Sequence, residues 1–281
     1  MDIGTFRIGE DLPVHRLGFG AMRLTGWHPP KDLAPAVAVA RRAVELGVTL
    51  IDTADSYDLG ANEELLADAL SPYPPGLVIA TKAGQSRPSS GQWIPLGRPE
   101  YLKQQAELSL RRLRLEHIEL FQLHRVDPKV PFADQIGALK ELRDAGKVRH
   151  VGLSEVGVGQ IEEARTTVPI STVQNLYNLT DRRHEDVLEY CEAAGIAFLP
   201  WLPVANGAHA VAGGPLARVA EETGGTPVQV ALAWLLARSP VMLPIPGTSS
   251  AAHLEENMGA ARIELTEEQF GRLDALGRPA R

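Results

Sequence analysis

Cysteine is almost absent from this chain: Cys191 stands alone among 281 residues. A single thiol forms no internal disulfide and has no second thiol with which to hold a metal, so neither a stapled secreted scaffold nor a metal site is expected. Cys191 lies in VLEYCEAAGI, on the apolar face of a helical pattern, where packing is its expected role. Long hydrophobic runs are lacking too. The longest, VALAWLLA from Val230 to Ala237, is too short to span a bilayer. The opening MDIGTFRIGEDLP has no basic stretch followed by an apolar one, the mark of a secretory leader. Positive charge is scarce as well: 28 Lys and Arg face 35 Asp and Glu, a formal net charge of -7, which disfavours a nucleic-acid or anionic-membrane surface. The basic clusters that do occur, Arg111, Arg112 and Arg114, then Arg182 and Arg183, read as solvated helix faces. These absences predict a cytoplasmic, soluble protein. Monomer is the default, because no apolar stripe stands out as an interface.

Short apolar runs alternate with longer amphipathic ones along nearly the whole length. HRLGFGA, TLIDTA, LVIATKA, IELFQLH, VRHVGLS, STVQNLY, IAFLPWL and VMLPIPG read as strands. LAPAVAVARRAVELG, PEYLKQQAELSLRRLR, PFADQIGALKELRDAG and RHEDVLEYCEAAG read as helices with glycine stops. Eight such units in a chain of this length predict a (β/α)8 barrel forming one domain over residues 1–281. The rival is an open sheet with a dinucleotide fingerprint; it loses because Gly18-Phe19-Gly20 runs on into AMRL and never completes the glycine pattern. TFRIGEDLPVHRLG reads as a two-stranded cap beneath the barrel, and LTEEQFGRLDALG as a last surface helix capped by Thr266.

Chemistry in such barrels gathers where the strands end. Those ends carry Met22, Asp52 with Tyr57, Lys82, His124, Ser154 with Glu155, Gln174 with Asn175, Trp201, and GTSS in strand order. Taken singly, Asp52 would cap a helix or pair with an arginine, Lys82 would suit a Schiff base, and His124 would be a core histidine. Together they read differently. A tyrosine donates a proton at neutral pH only if its phenolate is stabilised; an ammonium does that, and a carboxylate holds the ammonium charged. With a histidine on the same oxygen, the quartet hands a proton to a carbonyl whose carbon receives a nucleophile.

IDTADSYDLGANEELL, VIATKAG, LFQLHRVDP, GKVRHVGLSEV, VQNLYN and LPIPGTSSAAHLEEN, in this order, resemble the aldo-keto reductases across essentially the full chain. The resemblance implies a barrel reductase with a nicotinamide cofactor bound extended, Tyr57 as general acid, Lys82 and Asp52 tuning it, and His124 orienting the carbonyl. It implies cofactor contacts from Gly20, Ala21 and Met22, from Asp52, and from Ser154, Glu155 and Gln174 at the carboxamide. Trp201, with Leu202 and Pro203 beside it, falls where the family stacks an aromatic on the nicotinamide. Glu256 and Asn257 fit the adenine. Gly247, Thr248, Ser249, Ser250 and His253 fit the phosphate end, before a short helix whose N-terminus favours an anion.

Three positions depart from the family. Gly247 replaces a common lysine and His253 a common arginine, which weakens the usual cations for the 2'-phosphate; NADPH remains the expected cofactor because His253 and the hydroxyls of Thr248, Ser249 and Ser250 can still bind phosphate, with NADH as the alternative. Glu155 replaces an asparagine, and its charge is expected to favour the oxidised nicotinamide and hence alcohol oxidation. Met22, Trp27, His28, Trp93 and Trp201 are expected to line the pocket with Tyr57 and His124, which suits a small aromatic or aliphatic aldehyde. The bacterial pyridoxal reductases are the members it most resembles, so pyridoxal is the substrate expected. Two other readings stand beside this one: a cofactor-binding redox sensor with slow turnover, and a Schiff-base aldolase built on Lys82.

Overall fold

The computed structural model describes residues 4–27, 32–205 and 213–277. Seven short parallel strands form one curled sheet: β3 (Phe19–Gly20), β4 (Leu50–Asp52), β5 (Val78–Ala83), β8 (Ile118–Leu123), β9 (Val148–Ser154), β10 (Ile170–Gln174) and β11 (Ala197–Phe198), each bonded to the next. They are buried almost throughout, as strands covered on both faces must be.

The eighth expected strand, within VMLPIPG, is the one that differs. It meets its neighbours only at isolated bridges, Phe198 with Met242 and Gly20 with Gly247. Pro244 and Pro246 have no N–H to give, so this segment accepts from β3 through Gly18 N to Pro244 O (2.9 Å) and Gly20 N to Pro246 O (3.2 Å). On the other side Leu243 N donates to Phe198 O (2.8 Å). These bonds close the ring into the (β/α)8 barrel. Closure needs small residues, because a Cβ on Gly20 would stand 2.7 Å from Ile245 O.

Helices cover the outside: α1 (Ala34–Glu45), α2 (Ala61–Leu70), α3 (Pro99–Leu113), α4 (Phe132–Asp144), α5 (Val158–Arg165) and α6 (Glu185–Ala194) follow successive strands. After them come α7 (Pro215–Thr223), α8 (Pro227–Arg238), α9 (Ala251–Gly259) and α10 (Glu267–Asp274). The apolar run noted in the sequence is α8, whose Val230–Leu235 stretch is buried, and whose start is fixed by Thr226 accepting from Gln229 N at 3.2 Å. Thr266 caps α10 in the same way, as expected. No helix among the described residues is long and apolar enough to cross a membrane.

The cap is the hairpin β1 (Thr5–Ile8) with β2 (Leu12–His15). Its Ile8, Leu12 and Val14 plug the barrel floor against Leu50, Val78, Leu120, Leu199 and Leu243. Cys191 is fully buried and its thiol is pushed up to about 12 by burial, in keeping with a packing role. Two of the arginines expected to be solvated are not. Arg112 pairs with the buried Glu63 at 2.9 Å, and Arg182 pairs with Asp274 at 2.7 Å while lying 4.3 Å from the Trp234 ring. Arg112 reaches from α3 to α2, and Arg182, just before α6, reaches α10, contacts that a count of charges along the chain does not reveal.

Gly20→Ala is expected to push the closing segment off β3 and to cost about 1–3 kcal/mol of stability, read as a lower urea midpoint with an unchanged slope.

Candidate active site

Asp52 ends β4, Lys82 lies in β5 beside Gln122 of β8, and His124 follows β8, so sheet register alone brings three of the quartet to one rim. Tyr57 arrives differently. The chain leaves β4 through a single tight turn, Tyr57–Gly60, in which Asp58, Leu59 and Gly60 all have positive φ (49°, 55° and 97°). That turn carries the phenol back over Lys82 before α2 begins.

Lys82 Nζ donates to Asp52 Oδ2 at 2.6 Å, Thr53 O at 2.7 Å and Tyr57 Oη at 3.3 Å, which uses all three of its N–H groups. Asp52 Oδ1 accepts from Gln174 Nε2 at 2.9 Å and Gln122 Nε2 at 3.2 Å. Asp52 is 3% exposed and Lys82 not at all. Removing both charges from water costs several kcal/mol per ion, and only this full set of partners offsets it.

The electrostatics follow from burial. Lys82 has its affinity for the proton raised, because Asp52 and Tyr57 outweigh the large opposing effect of burial. His124 is held well below its ordinary value, first by burial and then by Lys82 and Arg125, so its imidazole is neutral near pH 7. Its Nδ1 lies 3.3 Å from Ser56 Oγ. Tyr57 feels both effects. Lys82 does lower its pKa, but burial raises it more, and the net direction is upward. Burial is the larger cause, and Asp52 adds to it in the same direction.

Trp93 stands edge-on to both Tyr57 (6.4 Å between centroids) and His124 (6.2 Å), making a wall for the reactive corner. It comes from a small hairpin after β5, in which β6 (Gln85–Ser86) pairs with β7 (Ile94–Pro95). Trp27 reaches the same loop through Arg87, 4.8 Å from its ring, while Met22 is about half exposed. His28 lies outside the described residues.

On the other side, Ser154 ends β9 and its Oγ accepts from Arg125 Nη1 at 3.0 Å; the same nitrogen donates to His124 O at 2.6 Å. Glu155 follows with φ of 56°, the kind of strained backbone that collects at functional sites. Its Oε1 accepts from Leu176 N and from Trp201 Nε1, both at 2.7 Å. The carboxylate therefore holds the indole, a role the sequence did not suggest. Gln174 is committed to Asp52, and Asn175 bonds both backbone groups of Val156. Trp201 N donates to Asn175 O at 3.1 Å, which places the segment leading into Leu202 and Pro203.

The third group gathers beside Gly20 and Ala21. Gly247 is bridged to Gly20, Thr248 Oγ1 accepts from Ser250 N at 3.0 Å, and Ser250 Oγ caps α9 by accepting from His253 N at 3.4 Å. Ser249 and His253 are exposed, Glu256 is half-buried and Asn257 is buried along that helix.

Sequence reasoning passed over Gln122, Ser56, Asp55, Arg87 and Arg125. For Gln122 the signal was a polar residue inside the apolar run IELFQLH. Asp55 is 4% exposed, its Oδ1 has no hydrogen-bond partner, and burial followed by the nearby Glu63 pushes its pKa up to about 8.

Two predictions follow from these contacts. Lys82→Met leaves Asp52 buried without its counter-charge and is expected to cost about 3–5 kcal/mol by urea unfolding, part of which Lys82→Met with Asp52→Asn recovers. Asp55 binds its proton more tightly folded than unfolded, so its contribution is present at low pH and lost as pH rises from 3.8 through about 8. Asp55→Asn is accordingly expected to gain stability relative to the parent between pH 6 and 9, measured as the difference in urea midpoint.

The aldo/keto reductase family profile matches residues 16–278. An uncharacterised oxidoreductase of Schizosaccharomyces pombe is 50% identical, over 98% of this chain and 90% of its own. A pyridoxine 4-dehydrogenase of Escherichia coli is 40% identical over 99% of this chain and all of its own. Among solved structures, an aldo-keto reductase from Klebsiella pneumoniae in complex with NADPH superposes with a TM-score of 0.84 at 28% identity, over all of this chain and 97% of that one. With the quartet at the strand ends of a closed barrel and a profile spanning nearly its whole length, this chain belongs to the aldo/keto reductase family.

Proposed function

We propose that this chain is a single-domain NAD(P)H-dependent carbonyl reductase in which Tyr57 is the proton donor. The observation that carries the reading is the chain from Asp52 through Lys82 to the Tyr57 hydroxyl, beside a neutral His124.

A bound nicotinamide cofactor would supply hydride to the carbonyl carbon, and the residues present suit it. Ser154 and the side-chain oxygen of Gln174, whose Nε2 is held by Asp52, offer polar groups for a carboxamide, and the Trp201 indole, fixed by Glu155, offers a flat face. The hydroxyls of Thr248, Ser249 and Ser250, with His253 and the N-terminus of α9, offer donors for a phosphate. Glu256 and Asn257 lie one turn further, for the adenine. NADPH is favoured by this donor set and by the NADPH bound to the Klebsiella relative.

The substrate oxygen takes hydrogen bonds from Tyr57 Oη and from the His124 imidazole. As negative charge grows there, the phenol proton moves onto it and the Lys82 ammonium stabilises the phenolate left behind. Asp52 keeps Lys82 protonated. Trp93 restricts water at the reacting corner. A Schiff base on Lys82 needs a neutral amine, whereas all three of its protons are bonded and its pKa is raised.

Pyridoxal is the substrate proposed, on the strength of the Escherichia coli relative. That relative is named for the oxidative direction, which accords with a carboxylate at Glu155. Glu155→Asn tests this: the ratio of NADPH to NADP+ affinity is expected to rise, and an unchanged ratio removes the charge argument and leaves Glu155 as the anchor of Trp201.

For the reaction itself, NADPH oxidation is followed with pyridoxal and with 4-nitrobenzaldehyde. Tyr57→Phe is expected to lower kcat by about 10²–10⁴ while NADPH binding persists. Absence of turnover in the parent protein, with NADPH still bound, would favour a sensor over an enzyme.

A further inference from the structure

One guanidinium at the mouth of the site is used by nothing in this mechanism. Arg87 sits in the hairpin after β5, with its Cζ 3.9 Å from the Trp93 ring centre and 4.8 Å from that of Trp27. Its only hydrogen bond to a described residue runs from Nη2 to Ser90 O. Nε is buried and has no partner. Among the described residues no carboxylate pairs with it; Asp58 acts on it only from a distance. Its pKa is lowered by partial burial, against the opposing charge of Asp58.

A cation clasped between two indoles is stabilised by their faces, but flat rings do not accept in-plane N–H bonds. The forked edge of a guanidinium is shaped for a carboxylate or phosphate, and two parallel charge-assisted bonds are the strongest way to satisfy it. The geometry sets the reach. Trp93 lies 6.4 Å from the Tyr57 ring and 3.9 Å from the guanidinium carbon, so that carbon stands at most about 10 Å from the centre of the Tyr57 ring, and an anion bound to it only a hydrogen-bond length beyond. That is within the span of one small molecule.

We propose that Arg87 is a specificity-determining residue that selects carbonyl substrates bearing an anionic group, its guanidinium binding the anion while the carbonyl lies against Tyr57 and His124. This rests on the carbonyl-reductase reading. Beside pyridoxal, it adds a preference within the aldehyde class for aromatic aldehydes carrying a carboxylate or a phosphate over those that carry neither. It also gives the Trp27 and Trp93 loops a purpose in common, since both rings hold the same cation in place.

The test compares 4-carboxybenzaldehyde with 4-nitrobenzaldehyde, which is of similar size but carries no net charge, in the parent protein, Arg87→Met and Arg87→Lys. The parent is expected to show the higher kcat/KM on the carboxylate. Arg87→Met is expected to lose about ten- to a hundredfold on it, mostly in KM, with little change on the neutral aldehyde. Arg87→Lys keeps the charge and recovers part of the loss. Equal losses on both aldehydes would overturn the proposal and make Arg87 a loop fastener. A change in NADPH affinity in place of KM would overturn it in favour of a cofactor contact. The parallel readout needs no turnover: tryptophan fluorescence of the NADPH-bound protein is titrated with 4-(hydroxymethyl)benzoate and with 4-methylbenzyl alcohol. Tighter binding of the anion in the parent and not in Arg87→Met supports the proposal even if neither aldehyde is reduced, while equal binding of both alcohols contradicts it. Absence of turnover bears on the reductase reading alone.

Discussion

A fully buried ammonium is the constraint around which this barrel is organised. Lys82 has no exposure, and its three protons go to a carboxylate, a carbonyl and a phenol. Leaving any of them without an acceptor in a low-dielectric interior would be expensive. The surrounding polar residues follow from that demand. Asp52 supplies the charge, Gln122 and Gln174 hold its second oxygen, and Thr172 steadies Gln122. Four strands thus contribute to one hydrogen-bonded layer within an apolar core. Tyr57 is the single member with a proton that a ligand can take.

The rim beyond Tyr57 is assembled by pairing rather than by packing. Arg125 joins His124 to Ser154, and Glu155 joins Trp201 to the backbone at Leu176. Residues with positive φ mark the same rim: Asp58 and Leu59 before α2, Glu155 after β9, and Leu202 and Ala205 after Trp201. Such conformations survive only where neighbouring contacts enforce them, and here they aim side chains that the regular strands would turn away. The barrel supplies the frame, and the loops spend some of its stability on direction.

Much of this was legible in the sequence, for identifiable reasons. Alternating periods of two kinds announced the barrel, and the D-T-A-x-x-Y spacing with a later lysine and histidine announced the quartet. What escaped were relations across elements. The eighth strand looked regular because Pro244 and Pro246 are apolar, yet they cannot donate to a ladder. Arg112 and Arg182 looked solvated because their partners, Glu63 on α2 and Asp274 on α10, lie on elements distant in sequence. Glu155 looked like a free charge beside a cofactor, while its oxygen is occupied by the Trp201 indole. The sign of the Tyr57 shift depended on how deeply the phenol is buried, which no spacing of residues encodes.

The claim on which the functional account turns is that a hydride and a proton meet a carbonyl at this corner. The direct measurement is mass spectrometry of the product after incubation with 4-nitrobenzaldehyde and NADPH carrying deuterium at the transferable position, with a borohydride-quenched sample alongside. The account predicts an alcohol with one deuterium on its carbinol carbon and no substrate carbon attached to Lys82. An undeuterated product, or a reduced adduct on Lys82, would contradict it.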